Sequence, residues 1–230
     1  RRTPWLIRLG RASLILTHTE AVRRQAIERF GLAPDRVIAI PLAAARCFRP
    51  ARAPILEPYL LFVGTLEPRK NLAFLAEVFG ELRRDHPVDL LLVGRKRPDF
   101  SGLPAADGIR WLGEIPDDQL ARLYSGAIAV VYPSHYDGFG LPVLEAMQCG
   151  APVVASLDPA VREVAGDAAL LADARDVHAW VEALRALIER PELRAGYRER
   201  SLRRAAAFTW EKTAQQTHQA YVEALRQRRA

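Results

Sequence analysis

Tyr59-Leu60-Leu61-Phe62-Val63-Gly64-Thr65-Leu66-Glu67-Pro68-Arg69-Lys70-Asn71 opens the regular part of this 230-residue chain. Five apolar residues ended by a glycine read as a strand buried on both faces. Behind it, Leu72, Leu75, Phe79 and Leu82 fall at helical spacing, which predicts a helix from about Asn71. The unit then repeats. Asp89-Leu90-Leu91-Leu92-Val93 is a second apolar run that ends in glycine, Ile109-Arg110-Trp111-Leu112 a third, and Ala127 to Tyr132 a fourth. Asp117 starts a short helix between the last two. Pro142 to Cys149 reads as a helix, with proline in its first turn and Gly150 as its C-terminal cap. Pro152-Val153-Val154-Ala155 and Ala168-Ala169-Leu170-Leu171 are further strands, and Asp176 caps an amphipathic helix that carries Val177, Trp180, Val181, Leu184 and Ile188 on one face. Strands apolar on both faces, alternating with helices, specify an α/β fold: a parallel sheet with helices on both faces. Ligands of such sheets bind at the strand-to-helix turns of the carboxyl edge.

The first 50 residues look like an end rather than a beginning. Ala12 to Leu16 reads as a short strand, Thr19 caps a helix that runs to Phe30 and stops at Gly31, and Val37 to Ile40 is another strand. Pro41 to Pro58, with Pro50 and Pro54 inside it, reads as a linker. That is too little for a self-standing domain. The chain opens Arg1-Arg2-Thr3-Pro4, without methionine and without an apolar signal segment, which implies that it starts inside a longer protein. No apolar run reaches the roughly 18 residues that a membrane span needs. Cys47 and Cys149 supply neither a disulfide framework nor zinc ligands, so a reducing cytosol is expected.

The net charge is +6, and only Lys70, Lys96 and Lys212 of the basic residues are lysines. Such a balance suits anionic partners. The densest basic stretch, Arg190 to Arg204, reads as a solvated helix face, with a lipid-surface patch as its alternative. No basic run interleaved with aromatics argues for nucleic acid.

The turn after Val63 is neither a G-x-G-x-x-G fingerprint nor a Walker loop. Arg69 and Lys70 stand instead at the expected start of a helix, against its dipole, at a cost of a few tenths of a kcal/mol each. A charge-assisted bond to a phosphate, roughly 1.5–3 kcal/mol, outweighs that cost. Two solvated charges in a polar turn explain the segment equally well.

A second segment is more specific: Pro133-Ser134-His135-Tyr136-Asp137-Gly138-Phe139-Gly140-Leu141-Pro142-Val143-Leu144-Glu145-Ala146-Met147. Its glycines admit close backbone approach, and the amides of Phe139, Gly140 and Leu141 precede a helix N-terminus, a natural anion site. Glu145 lies about one turn into that helix, where its carboxylate can look back over the same pocket and accept hydrogen bonds from sugar hydroxyls. Asp137 and Glu145, seven residues between them and Gly138 to Pro142 within, are similar to the donor-site motif of glycosyltransferase family 4, retaining enzymes of the two-domain GT-B fold. Val63 to Leu72 resembles that family's phosphate-contacting turn, and Phe208-Thr209-Trp210-Glu211-Lys212 the start of its closing helix. Leu14 to Pro50 resembles the last strand and helix of the first domain plus the linker.

The resemblance covers nearly the whole chain and implies a Rossmann-like C-terminal half of a GT-B enzyme. Residues 1–50 would be the tail of the acceptor domain plus linker, 51–205 the nucleotide-sugar domain, and 206–230 the closing helix. It implies that Glu145 holds the ribose hydroxyls, that Asp137 lies near the transferred sugar, and that Lys70 contacts the diphosphate. The Gly138, Phe139, Gly140 and Leu141 backbone faces sugar and phosphate, with Gly64 and Thr65 alongside. The motif's first acid is usually glutamate, one methylene longer than Asp137. Many members carry arginine where Thr65 stands, for which Arg69 compensates. Lys70 and Arg69 then stabilise the leaving diphosphate without a metal, an oxyanion-type strategy. Neither metal nor other cofactor is expected, since no acids or histidines have ligand spacing. The implied donor is a nucleotide-diphosphate sugar, with a lean to GDP-mannose. The implied acceptor is a saccharide or lipid-linked sugar, reached through the absent half, which sets a cytoplasmic protein at times against the inner face of the membrane.

Among the other candidates, His135 reads as a loop histidine rather than a catalytic one. Trp180, Tyr221 and Met147 read as core, and Cys149 as a small buried residue. A nucleotide-sugar epimerase of related fold and a non-catalytic nucleotide-sugar-binding module remain alternatives. A flavodoxin-like domain would leave the Asp137 to Glu145 segment unexplained.

Overall fold

The structure is a computed structural model, which describes Leu9 and residues 12–54, 57–98, 100, 102 and 106–229. Arg1 to Pro4 lie outside the described residues. The chain divides into two compact units.

The larger unit, Ala44–Ala207, is built on six parallel strands: β3 (Tyr59–Val63), β4 (Asp89–Val93), β5 (Ile109–Gly113), β6 (Ala129–Tyr132), β7 (Val153–Ser156) and β8 (Ala169–Ala172). Their order is β5-β4-β3-β6-β7-β8. In sequence terms the unit runs outward one way from β3 and then outward the other way from β6, the doubly wound order of a Rossmann fold. All five residues of β3 and all four of β6 and β7 are buried, as two-sided strands require. Alternate side chains serve alternate faces. Leu60, Phe62, Leu90, Leu92, Ala129, Val131 and Val154 pack with Leu72, Leu75, Val78, Phe79 and Leu82 of α2 (Leu72–Arg83) and with Trp180, Val181, Leu184 and Leu187 of α6 (Val177–Glu189). Trp180 is fully buried, edge-on to Phe74 at 5.7 Å, and its indole N–H donates to the Asp173 carbonyl. The other helices of the unit are α3 (Asp117–Gly126), α4 (Leu141–Gln148), α5 (Pro159–Ala165) and α7 (Pro191–Ala205). The fold class expected from the sequence is the one observed.

The arginine-rich stretch is not the solvated face that its charge suggests. Arg194 of α7 donates to the Leu187 carbonyl in the last turn of α6, and Arg198 to Ser125 in the last turn of α3. Arg204 donates to Glu163 and Val164 in the last turn of α5. Helix C-termini leave carbonyls without intrahelical donors and carry partial negative charge, so one helix clamps the ends of three others. Arg190 and Arg203 are the exposed exceptions, Arg203 pairing with Glu199 four residues before it.

The smaller unit comprises residues 1–43 and 208–230. In it β1 (Ile15–Thr17) and β2 (Val37–Ala39) pair in parallel around α1 (Glu20–Phe30). Thr19 caps α1 by accepting from Val22, and Gly31 closes it in the left-handed conformation that glycine allows, both as the sequence predicts. The strands are shorter than expected. The last helix, α8 (Trp210–Arg229), is held by Thr213, whose hydroxyl donates to the Pro41 carbonyl at 2.7 Å. Tyr221 on α8 is 61% exposed, which corrects its reading as core. Trp180 and Met147 are both fully buried. Among the described residues no helix is long and apolar enough to cross a membrane.

Candidate active site at the strand-order switch

The strand order reverses between β3 and β6, and the crevice at that carboxyl edge is where doubly wound sheets bind ligands. Both sequence-predicted segments leave the sheet there. After β3 the chain forms a short 3-10 turn, Pro68–Lys70, and Asn71 in left-handed conformation (φ 57°, ψ 40°) separates it from α2. Arg69 and Lys70 therefore belong to that turn and not to the first turn of the helix. The Asn71 side chain donates to the Ala174 carbonyl and anchors the turn from the β8 side.

Lys70 is 4% exposed, so the reading of two solvated charges fails for it. Its Nζ lies 2.5 Å from the Tyr132 hydroxyl and 2.7 Å from Asp137 Oδ2, while the Tyr132 hydroxyl donates to the same Oδ2 at 2.8 Å. Arg69 bridges two acids: its Nε lies 2.7 Å from Glu67, and its Nη1 3.1 Å from Asp137 and 2.9 Å from the Tyr136 carbonyl. Arg97 closes the other oxygen of Glu67 at 3.2 Å. Three cations thus face the carboxylates of Glu67 and Asp137, and the Asp158 carboxylate adjoins Asp137. Burial lowers the Lys70 ammonium below its ordinary range, and Asp137 only partly offsets this. Burial would raise Asp137, but Lys70, Tyr132 and Arg69 together hold its carboxyl below the usual range. Burial drives the Tyr132 hydroxyl far above the ordinary phenol range, so it stays a neutral donor.

The loop after β6 is fixed at several points. The Ser156 hydroxyl donates to the Ser134 carbonyl at 2.6 Å, and the His135 amide donates to the Arg69 carbonyl at 3.0 Å. Asp158 accepts from the amides of Ala160 and Val161, and with its second oxygen from the Asp137 amide at 3.3 Å. One carboxylate therefore caps α5 and holds the backbone of the acid that holds Lys70. Gly140 starts α4 at φ 86°, open to glycine at little cost. At Gly138 an added Cβ would meet no protein atom within 4 Å, and at Gly140 it would make only ordinary contact with Val161 and Val143, so what selects glycine at Gly140 is its left-handed backbone. Phe139 is buried and Leu141 partly exposed.

The structure brings Arg69, Lys70 and Asp137 together, with Gly64, Thr65 and the Gly138 to Leu141 turn on the same sheet edge. Glu145 stands apart from that cluster. Its Oε2 accepts from the Tyr124 hydroxyl at 3.0 Å, and burial, with Asp117 adding, raises its carboxyl above the usual range despite that bond. Cys149 is buried, with its thiol pushed up to about 12, and is no nucleophile. Among the described residues no group of three or more His, Cys, Asp and Glu side chains is placed to hold a metal ion. Sequence reasoning missed Tyr132, Glu67, Asp158 and Tyr124. Tyr132 carried one usable signal: a polar-tipped aromatic as the last residue of a strand at the carboxyl edge.

The two acids have opposite linkage to stability. Asp137, with its folded value below the unfolded one, contributes stability at neutral pH that is lost as pH falls through the folded value. Glu145, with its folded value above the unfolded one, costs stability when ionised, and the cost lifts as pH falls through the folded value. Glu145→Gln keeps an acceptor for Tyr124 and removes the charge. A rise in Tm of about 2 °C at pH 7.5, fading toward pH 4, is expected from thermal melts. A lower Tm at neutral pH would show that the buried carboxylate stabilises the fold instead.

The family profile described as Glycosyl transferases group 1 matches residues 49–204, which contain all six strands of the larger unit and both segments of the crevice. This chain is a group 1 glycosyltransferase family member. The O-antigen chain mannosyltransferase B of Escherichia coli is 37% identical to it over 93% of the chain, and the match takes in 61% of that protein. The group 1 chain described here therefore spans about three fifths of the length of that relative. Among solved structures, the sucrose-phosphate synthase of Thermosynechococcus elongatus superposes with a TM-score of 0.81 at 24% identity, over 98% of this chain and 62% of its own. The Anabaena protein HepE, solved in complex with UDP, gives 0.77 at 18% identity over 92% of this chain and 64% of its own. At those identities the likeness establishes the fold, that of the GT-B glycosyltransferases.

Proposed function

We propose that this chain carries the donor site of a retaining hexosyltransferase of the family 4 type. On this reading it moves a sugar, mannose, from GDP to a saccharide or lipid-linked acceptor. One observation carries the reading: a buried lysine and a bridging arginine at the strand-order switch, beside a glycine turn that opens a helix. Developing charge on a leaving diphosphate needs such fixed cations, and Lys70 and Arg69 supply them in place of a metal. The Gly138 to Leu141 backbone, Gly64 and Thr65 line the phosphate and sugar, and Glu145 takes the ribose hydroxyls. The E. coli mannosyltransferase supports mannose, and the fold relative solved with UDP supports a nucleotide ligand. Residues 1–50 are on this reading the tail of an acceptor domain, 51–205 the donor domain and 206–230 the closing helix. The acceptor contacts then lie outside this chain, which binds nucleotide but turns over poorly by itself. The intact protein works in the cytoplasm, peripheral to the membrane where its acceptor is lipid-linked.

Calorimetry with GDP, UDP and ADP, each with and without EDTA, tests the reading. GDP is expected to bind best and equally well in both conditions, and Glu145→Ala to weaken it by about tenfold, the loss of one to two hydrogen bonds to ribose. Binding abolished by EDTA would refute the metal-free site, and a preference for UDP or ADP the choice of base.

A further inference from the structure

Lys70 presents three N–H bonds, and among the described residues two of them are committed. One goes to Asp137 in the loop after β6, the other to the hydroxyl of Tyr132 at the end of β6 itself. The Tyr132 ring also lies beneath the ammonium, 4.4 Å from Nζ to the ring centroid. Asp137 sits on a loop and shares its charge with Arg69. Tyr132 sits on a central strand, 1% exposed, between β3 and β7. Of the two partners of Lys70, the phenol is thus the one carried by the sheet itself.

The two partners also differ in how they meet an anion. A carboxylate beside an incoming phosphate repels it, whereas a neutral oxygen keeps its bond to the ammonium at no electrostatic cost. Two fixed bonds set the direction of the third N–H, and only the one from Tyr132 is indifferent to the charge of the ligand. We propose that Tyr132 is a positioning residue for the donor diphosphate: its hydroxyl holds Lys70 so that the remaining N–H points to the terminal phosphate. The claim rests on the donor-site reading above. Asp137, Tyr132, Arg69 and Glu67, with Arg97 behind Glu67, are the charged and titratable groups that face or adjoin the ammonium.

Tyr132→Phe removes one oxygen and keeps the ring. The readout is the ratio of diphosphate to monophosphate affinity, by calorimetry with GDP and GMP, UDP and UMP, and ADP and AMP, using the base that binds best. The variant is expected to lose about tenfold in diphosphate affinity while the monophosphate stays within about twofold, because only the terminal phosphate reaches Lys70. A packing defect would weaken both alike. A second measurement uses the scarcity of lysine: with three in the chain, a lysine Cε-labelled NMR spectrum has three signals, and Lys70→Arg identifies the one in question. In Tyr132→Phe that signal is expected to titrate at lower pH than in the unsubstituted protein, with Lys96 and Lys212 unmoved. An unchanged affinity ratio, or an unchanged Lys70 titration, overturns the proposal. If Lys70→Ala abolishes diphosphate binding while Tyr132→Phe leaves the ratio intact, the positioning claim alone falls. If Lys70→Ala has no effect, or no diphosphate binds the unsubstituted protein, the donor-site reading falls and this claim with it.

Discussion

Gly94→Ala is expected to destabilise the protein by at least about 3 kcal/mol, a large part of the 5–15 kcal/mol that holds a typical domain. Gly94 follows β4 at φ 132°, a conformation that L side chains rarely adopt. A Cβ there would sit 2.1 Å from the Gly64 carbonyl oxygen and 2.8 Å from its carbon. Both are backbone atoms, so no rotamer change relieves the clash. Gly64 is itself tied to Val93, and Gly94 to Gly113, so relief must part β3 from β4 or β4 from β5. The damage falls beside the turn that carries Arg69 and Lys70, and binding should fail with stability. Urea denaturation measures it, with Gly80→Ala and Gly196→Ala as controls. Those glycines lie within α2 and α7, where an added Cβ meets nothing within 4 Å, and alanine there should stabilise by about 0.5–1 kcal/mol. A Gly94→Ala protein within 1 kcal/mol of the parent would mean that the two strand ends are not in contact.

The same crossing explains what could be read in advance. Two-sided apolar runs of about five residues that end in glycine and alternate with helical segments declare buried parallel strands, because they are too short for buried helices. The caps at Thr19, Gly31 and Asp176 are local chemistry, settled within a few residues of sequence. The pairing of the turn after β3 with the loop after β6 was legible only through the resemblance, since it depends on strand order, and strand order is a tertiary fact. Tyr132 stayed hidden for a related reason. An aromatic at the end of an apolar run has the pattern of a core residue, and only the neighbour across the crevice gives its hydroxyl a task. The arginines of α7 misled in the opposite sense. Their charge reads as solvation, yet Arg194, Arg198 and Arg204 reach carbonyls at the ends of helices that the chain finished earlier. Tyr221, placed in the core by its residue type and not by its position on a helical face, is exposed on α8, whereas its neighbour Ala220 is buried.

Lys70→Ala is expected to weaken diphosphate binding by about a thousandfold, roughly 4 kcal/mol and more than the roughly 1.5–3 kcal/mol that one charge-assisted bond supplies by itself. The excess comes from Asp137. With Lys70 present its charge is shared between Lys70, Arg69 and Tyr132. Without Lys70 the carboxylate keeps only the half-exposed Arg69 and a neutral phenol, and it faces the incoming phosphate as a like charge. The two substitutions must then be non-additive. Asp137→Asn in the Lys70→Ala background should recover about tenfold in affinity, because it removes the repulsion, whereas by itself it also frees the Lys70 ammonium from its internal counterion. A double-mutant cycle by calorimetry at fixed ionic strength isolates the coupling, and raised salt should shrink it. Additive effects would mean that Asp137 and the phosphate do not meet at Lys70, and that the acid serves the sugar alone. A coupling of the expected sign would make the short acid at this position an electrostatic partner of the phosphate cations, a role for which aspartate, reaching back to the Pro68–Lys70 turn, has the right length.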